Sequence, residues 1–238
     1  MTALMKRAAR FLPLFALVLA FSACAKSHSD PVARGRAVFA SYDCKKCHVV
    51  AGVGGALGPD LTLVGFRKTP EFLDVWLKDP RAWKADVSMP NFYFKDNVRA
   101  DLVAYLSSLQ GQGYLEGGAK PWAAPAFADD SVKRGEEIYK RAGCITCHNK
   151  GGKGGYPNNN AVGGLVPALQ LVADGFSRDE LIAKIMEGVA HPASADPAQP
   201  APLLSMPAWE KKLNKEEVGA VADYLMSLKP KGASDGDW

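Results

Sequence analysis

Two short runs of the sequence combine cysteine and histidine at a spacing that could attach a cofactor. They are Cys44-Lys45-Lys46-Cys47-His48 and, one hundred positions later, Cys144-Ile145-Thr146-Cys147-His148. A Cys-x-x-Cys-His run is the attachment signature of c-type haem, in which both thiols bond to the porphyrin and the imidazole coordinates the iron. Side chains three residues apart in a helical turn point the same way, so two sulfurs can reach one porphyrin edge. The sequence therefore predicts two haem c groups, one on Cys44, Cys47 and His48 and one on Cys144, Cys147 and His148.

Other uses of paired cysteines fit this sequence less well. A zinc site built from two Cys-x-x-Cys pairs places the pairs about 15 to 20 residues apart, which is much closer than Cys47 and Cys144 stand. A thioredoxin-like redox site needs a setting of alternating strands and helices, and no stretch of the chain has the alternating pattern of an extended sheet. Two copies of the complete five-residue motif therefore favour haem over zinc or a dithiol site.

The first 23 residues have the pattern of an export signal. Lys6, Arg7 and Arg10 precede an apolar run from Phe11 to Phe21, which is too short to span a bilayer because a spanning helix needs about 20 apolar residues. Residues 1–23 are therefore predicted to be a signal peptide that is removed. Removal takes away three positive charges and no negative one, so the net charge falls from +4 to +1. No concentrated basic face remains that would suggest nucleic-acid binding.

The end of this signal resembles the lipobox of bacterial lipoproteins. It reads Phe21-Ser22-Ala23-Cys24, with Phe21 where leucine is usual. Four of the five cysteines are assigned to haem, and lipidation of Cys24 would account for the fifth, with at least the two acyl chains that stable anchoring needs. The alternative is cleavage at an Ala-x-Ala-like site that leaves Cys24 unmodified. We expect a lipid anchor at Cys24, a tether over residues 24–31, and a location on the periplasmic side of the inner or outer membrane of a bacterium.

The rest of the chain repeats one plan around the two motifs. The segment 34–39 matches 134–139 at a constant offset of one hundred, and the apolar residues of both fall at helical spacing. Further matches are Gly58-Pro59-Asp60-Leu61 with Val166-Pro167-Ala168-Leu169, and Ser88-Met89-Pro90 with Ser205-Met206-Pro207. The sequence therefore predicts two domains at 32–110 and 131–230, a Gly-, Ala- and Pro-rich linker at 111–130, and a polar tail at 231–238.

Helix signals place two further helices in each half. Thr69 before Pro70 predicts one helix start, and Ser177 with Glu180 forms a capping box at the equivalent point of the second half. Asn214 with Glu217 is expected to cap the last helix. Because 47% of the residues are hydrophobic and 23% charged, as in ordinary globular proteins, we predict an all-α fold of two small domains, each built around one covalent haem.

This order of features resembles the class I c-type cytochrome family, and the resemblance covers nearly all of residues 32–229. It implies that Met89 and Met206, each before a proline, are the second axial ligands of the two irons. It also implies that Pro59 and Pro167 lie beside the proximal histidines His48 and His148. The second half departs from the family pattern by insertions, including residues 188–205 just before Met206. His191, in that insertion, is expected to face solvent.

Ligation by His and Met raises the potential of a haem iron and leaves no open coordination position. The resemblance therefore implies an electron carrier rather than an enzyme: a tethered shuttle, or the cytochrome subunit of a respiratory complex, with unidentified redox partner proteins. A dihaem cytochrome c peroxidase is the alternative, and it would need one iron with a displaceable ligand. A haem-based sensor would also need an exchangeable ligand, and the sequence offers no output domain.

Overall fold

The computed structural model describes residues 30–115 and 120–230. The predicted signal peptide, the lipid site at Cys24 and the polar tail lie outside the described residues. The all-α fold class is confirmed. The first half contains α1 (Pro31–Ser41), α2 (Val64–Arg67), α3 (Pro70–Lys78), α4 (Pro80–Trp83), α5 (Asp96–Ser108) and α6 (Gln112–Leu115). The second half contains α7 (Ser131–Ile138), α8 (Ile145–His148), α9 (Val172–Gly175), α10 (Arg178–Glu187) and α11 (Lys215–Met226).

The helix starts follow the capping residues of the sequence. The Thr69 side chain accepts a hydrogen bond from the backbone N–H of Phe72 at the start of α3. Complete capping boxes begin α10, through Ser177 and Glu180, and α11, through Asn214 and Glu217. Each box satisfies backbone donors that a helix start otherwise leaves without partners. The predicted caps are confirmed, and they fix where the helices around each motif begin.

A small hairpin follows the first motif and was not predicted. Strand β1 (Val49–Val50) pairs antiparallel with β2 (Val53–Gly54). The two turn residues, Ala51 at φ 52° and Gly52 at φ 78°, both lie in the left-handed region, as a tight hairpin turn requires. Strands of two residues are too short to show an alternating sequence pattern, so sequence reasoning could not detect them.

In each half the first helix crosses the last one at a glycine. A Cβ atom at Gly35 of α1 would lie 1.9 Å from the backbone oxygen of Asp101 in α5. A Cβ atom at Gly135 of α7 would lie 1.9 Å from the oxygen of Ala220 in α11. Glycine at these two positions therefore permits a close helix crossing that no other residue allows. Beside each crossing two rings pack with centroids 5.3 Å apart, Phe39 with Tyr105 and Tyr139 with Tyr224.

The segment between the repeats is packed into the second half. Trp122 is fully buried and Tyr114 is 2% exposed, and their rings contact each other at 5.7 Å. The indole N–H of Trp122 donates to the Glu217 carboxylate over 2.8 Å. Leu63 of the first repeat lies in the same apolar core. The predicted linker therefore fastens the two repeats together.

Within the ranges 30–115 and 120–230, no helix has both the length and the apolar character needed to cross a bilayer.

Candidate haem sites

In the second repeat the predicted haem-binding residues surround one cavity of about 470 Å³. Its walls include both motif cysteines, Cys144 and Cys147, together with His148 and Met206. The remainder of the lining is mostly apolar and comes from α9, α10 and α11 and from the two inserted loops. A cavity of this size, mainly apolar with a few fixed polar groups, has the character of a cofactor site.

Each motif histidine is held by a proline carbonyl on the facing loop. Nδ1 of His48 lies 2.9 Å from the oxygen of Pro59, and Nδ1 of His148 lies 3.1 Å from the oxygen of Pro167. A carbonyl oxygen only accepts, so Nδ1 must carry the proton and donate it. The other ring nitrogen, Nε2, is then left with a free lone pair, which is the tautomer that binds a metal. The predicted neighbours Pro59 and Pro167 thus orient the imidazoles.

Gly58, the residue before Pro59, lies directly against the ring of His48. A Cβ atom at Gly58 would lie 2.4 Å from the ring of His48. The loop therefore passes against the imidazole face at a distance that excludes a side chain.

Met206 is fixed by backbone pairing with the inserted loop before it. The N–H of Val189 donates to the oxygen of Met206 over 2.7 Å, and the N–H of Met206 donates back to Val189 over 3.1 Å. Gly188, at φ 74°, makes the turn that allows this, and a Cβ atom there would collide with Pro207. The insertion that departs from the family pattern thus holds the methionine at the cavity, and His191 within it is exposed.

The two inserted loops of the second repeat are joined by asparagine side chains. The buried Asn158 amide accepts from the N–H of Leu204 over 3.1 Å and donates to its carbonyl over 3.0 Å. Asn159 accepts from the N–H of Leu203, and Asn160 bonds to the backbone of Asp196. These side-chain amides provide hydrogen-bond partners for backbone groups of the loops that no strand pairs with. The two loops are thereby held together and form one wall of the cavity.

In the first repeat two of the four predicted residues share one apolar cluster. Cys44 and Met89 both pack against the apolar cluster of that half, whereas Cys47 is exposed and His48 is half-buried. The indole N–H of Trp76, in α3, donates to the Met89 sulfur over 3.2 Å. The thioether, two thiols and an oriented imidazole are thus the same set of groups as in the second repeat.

Burial and nearby positive charges have opposite effects on the pKa values of the second motif's thiols before a haem is attached. Burial raises the pKa of the Cys144 thiol to about 12. Burial alone would also raise the pKa of Cys147, but the Lys68 ammonium and the Arg67 guanidinium outweigh it and hold that pKa below its usual value. Burial lowers the pKa of His148, which favours the neutral imidazole that ligates iron.

Two cations of the first repeat reach the second motif, a contact that sequence reasoning missed. Arg67 donates through Nη1 to the Thr146 hydroxyl over 2.8 Å, and its guanidinium lies where a Cβ atom of Gly143 would be. Lys68 donates through Nζ to the sulfur of Cys147 over 3.0 Å. The only sequence signal is that the second repeat has Gly175 where the first has Arg67.

These groups fit a haem c. In each half two thiols are available for thioether bonds, an imidazole presents a free lone pair, and a thioether sulfur lies in the same apolar surroundings. When bound, the group supplies a one-electron iron couple whose potential depends on its axial ligands, burial and nearby charges. The assignment of Cys44, Cys47, His48 and Met89, and of Cys144, Cys147, His148 and Met206, stays a prediction.

The fold and these sites define a haem protein of the cytochrome c class. The sequence profile of the family described as "Cytochrome c" matches residues 32–110 and again residues 132–229. The chain therefore belongs to the cytochrome c family, as its motifs predicted, and it has a haem-dependent role in electron transfer. Members of this family hold haem c covalently.

Comparison with individual proteins gives two further similarities. The chain is similar to cytochrome c oxidase subunit 2 of Alkalihalophilus pseudofirmus, with 36% identity over 87 residues, which is 32% of this chain and 25% of that protein. The chain thus spans about a quarter of the length of that relative. Among solved structures, a chain of the Kuenenia stuttgartiensis reducing HAO-like protein complex aligns over 83% of this chain and 96% of its own. Its identity is 18% and its TM-score 0.29, too low to support a structural relationship.

Proposed function

We propose that this protein is a dihaem electron carrier in which each repeat holds one haem c by its two motif cysteines. His48 and Met89 are the axial ligands in the first repeat, and His148 and Met206 are those in the second. The observation that carries the proposal is the cavity of the second repeat, which brings two thiols, an oriented imidazole and a methionine together. A six-coordinate iron of this kind exchanges electrons without binding a substrate.

The proposed partners are redox proteins, met in brief encounters through small surfaces, or the other subunits of a respiratory complex. The oxidase subunit named among the relatives supports the second possibility. The proposed location is the periplasmic face of a bacterial membrane, with a lipid on Cys24 as the tether. The support for the tether is the lipobox-like sequence Phe21-Ser22-Ala23-Cys24.

Spectroscopy of the purified, oxidised protein tests the haem assignment. The pyridine haemochrome assay should give two covalent haems per chain, and near-infrared magnetic circular dichroism with EPR should give two low-spin centres with His and Met ligands. A single haem would refute the dihaem proposal. One high-spin or bis-histidine centre would instead favour the peroxidase, because that activity needs a displaceable ligand.

Replacing Cys24 with Ser tests the tether. We expect the variant to move from the membrane fraction to the soluble periplasmic fraction, because no acyl chain can be attached, with its haem content unchanged. Fractionation followed by haem staining measures this. Ser22→Ala, which keeps the cysteine and a small residue before it, is the matched control and should stay on the membrane. A Cys24→Ser protein that remains membrane-bound would contradict the lipid anchor.

A further inference from the structure

The side chain of Lys68, in the first repeat, contacts a predicted haem-attachment cysteine of the second repeat. The side chain is 8% exposed, and its Nζ donates to the Cys147 sulfur over 3.0 Å. The ammonium also lies 4.5 Å from the ring centre of Phe72 and 5.4 Å from that of Tyr156. Phe72 belongs to the first repeat and Tyr156 to the second. Burial lowers the pKa of Lys68, whereas the Cys147 sulfur favours its charged form. The faces of the two rings also favour a cation between the repeats.

The two repeats differ at this point. At the offset that aligns the loop prolines Pro59 and Pro167, the second repeat has Phe176 where the first has Lys68. Phe176 carries no charge, and Cys47 of the first motif is exposed. At the second motif the Lys68 ammonium contacts the Cys147 sulfur directly. The cation therefore distinguishes one site from the other.

We propose that Lys68 sets the second centre, held by Cys144, Cys147 and His148, to a higher reduction potential than it would have alone. This inference rests on the proposed function. Reduction adds one electron to the iron and leaves its ligands in place, so a fixed positive charge nearby favours the reduced state. The charged form of Lys68 acts strongly on the centre because water and salt screen a buried charge least.

Aromatic rings pack between the two sites. The Met89 sulfur accepts a hydrogen bond from the Trp76 indole. The centre of the Trp76 ring lies 6.0 Å from that of Phe72 and 6.3 Å from that of Tyr156. Lys68 joins these rings to Cys147. The wall between the two sites is thus a packed layer of aromatic rings, with Lys68 at its second-repeat side.

The test is a spectroelectrochemical titration of the full holoprotein and of Lys68→Met, which removes the charge but keeps much of the length. We expect the equilibrium constant for reduction of one centre to fall about tenfold, which is about 59 mV for a one-electron couple. The affected couple should be the one that Met206→His also lowers. Lys68→Arg, which keeps the charge, should restore the potential of the unmodified protein.

Lys78→Met is the matched control, because Lys78 is an exposed lysine at the end of α3 in the same repeat, and it should leave both couples unchanged. Lys68→Gln removes the charge but keeps a donor for the Cys147 sulfur, and it should reproduce the shift of Lys68→Met. Unchanged potentials in both neutral variants, or an equal shift of the couple that Met89→His affects, would overturn the inference.

The haem count separates this failure from failure of the proposed function. Fewer than two covalent haems in the unmodified protein would refute the dihaem carrier itself. Two haems with potentials that do not respond to Lys68 would refute only the role of Lys68.

Discussion

Replacement of Met206 by His is expected to leave both haems attached and to lower the reduction potential of one of them by a large margin. The thioether of methionine favours ferrous iron, whereas a second imidazole favours the ferric state. Axial ligands move haem potentials over about 0.8 V, so this is the largest redox effect that we expect from one substitution. Redox titration followed at the haem absorption bands measures it.

The position of Met206 makes a histidine there a plausible replacement. Its backbone is paired with Val189 in both directions, so the loop stays in place when the side chain changes. Met186→His is the control, because Met186 is also partly buried in the core of the second repeat but does not line the cavity. A Met206→His protein whose two potentials equal those of the unmodified protein would show that Met206 is not a ligand.

Replacement of Glu217 by Ala is expected to lower the free energy of unfolding by roughly 3 kcal/mol, because it breaks a buried charge pair. The carboxylate is 2% exposed and accepts from Lys120 over 2.7 Å and from the indole of Trp122 over 2.8 Å. It also completes the capping box with Asn214 at the start of α11. We place the loss at the low end of the range for buried pairs because the Lys120 side chain is 28% exposed.

The adjacent residue is a matched control for this prediction. Glu216 pairs with Arg134 at the surface and its side chain is 74% exposed, so Glu216→Ala should cost less than about 1 kcal/mol. Urea unfolding followed by far-ultraviolet circular dichroism compares the two variants. Equal losses would contradict the prediction, because the buried pair of Glu217 would then contribute no more than the surface pair of Glu216.

The same carboxylate should make stability depend on pH. Burial opposes its ionisation, but the hydrogen bonds from Lys120 and Trp122 outweigh burial and hold the pKa of Glu217 below its usual range. A depressed pKa in the folded state contributes stability above the pKa of the unfolded chain, about 4.3, and this contribution is lost as pH falls through the folded value. Glu217→Gln should therefore reduce the acid dependence of unfolding.

The sequence was sufficient for the parts of the fold that depend on local chemistry. The helix caps at Thr69, Ser177 and Asn214 depend on side chains within a few residues of each helix start. Each haem motif is recognised from the spacing of five consecutive residues. The repeat located the helices, because the same plan occurs twice. Each of these predictions needed no knowledge of which distant residues meet.

The contacts between the repeats could not be predicted in this way. Lys68 and Cys147 are far apart in the sequence, and neither residue's neighbours indicate the other. The segment with Tyr114 and Trp122 has no helical period, so its composition indicated a linker and gave no sign that both rings are buried. Burial of such a segment depends on tertiary packing that periodicity does not record. The backbone pairing of Met206 with Val189 could not be predicted for the same reason, because Val189 lies in an insertion without a regular sequence pattern.

The packing of Arg67 against Gly143 makes the two repeats structurally different at the residue before the first motif cysteine. The residue before the first cysteine has a left-handed backbone in both halves, Asp43 at φ 55° and Gly143 at φ 92°. In the first motif that position can carry a side chain, and the Asp43 carboxylate pairs with Lys46. In the second motif the guanidinium of Arg67 fills the space. The two repeats are therefore not interchangeable, because Arg67 on the surface of the first repeat restricts position 143 of the second repeat to glycine.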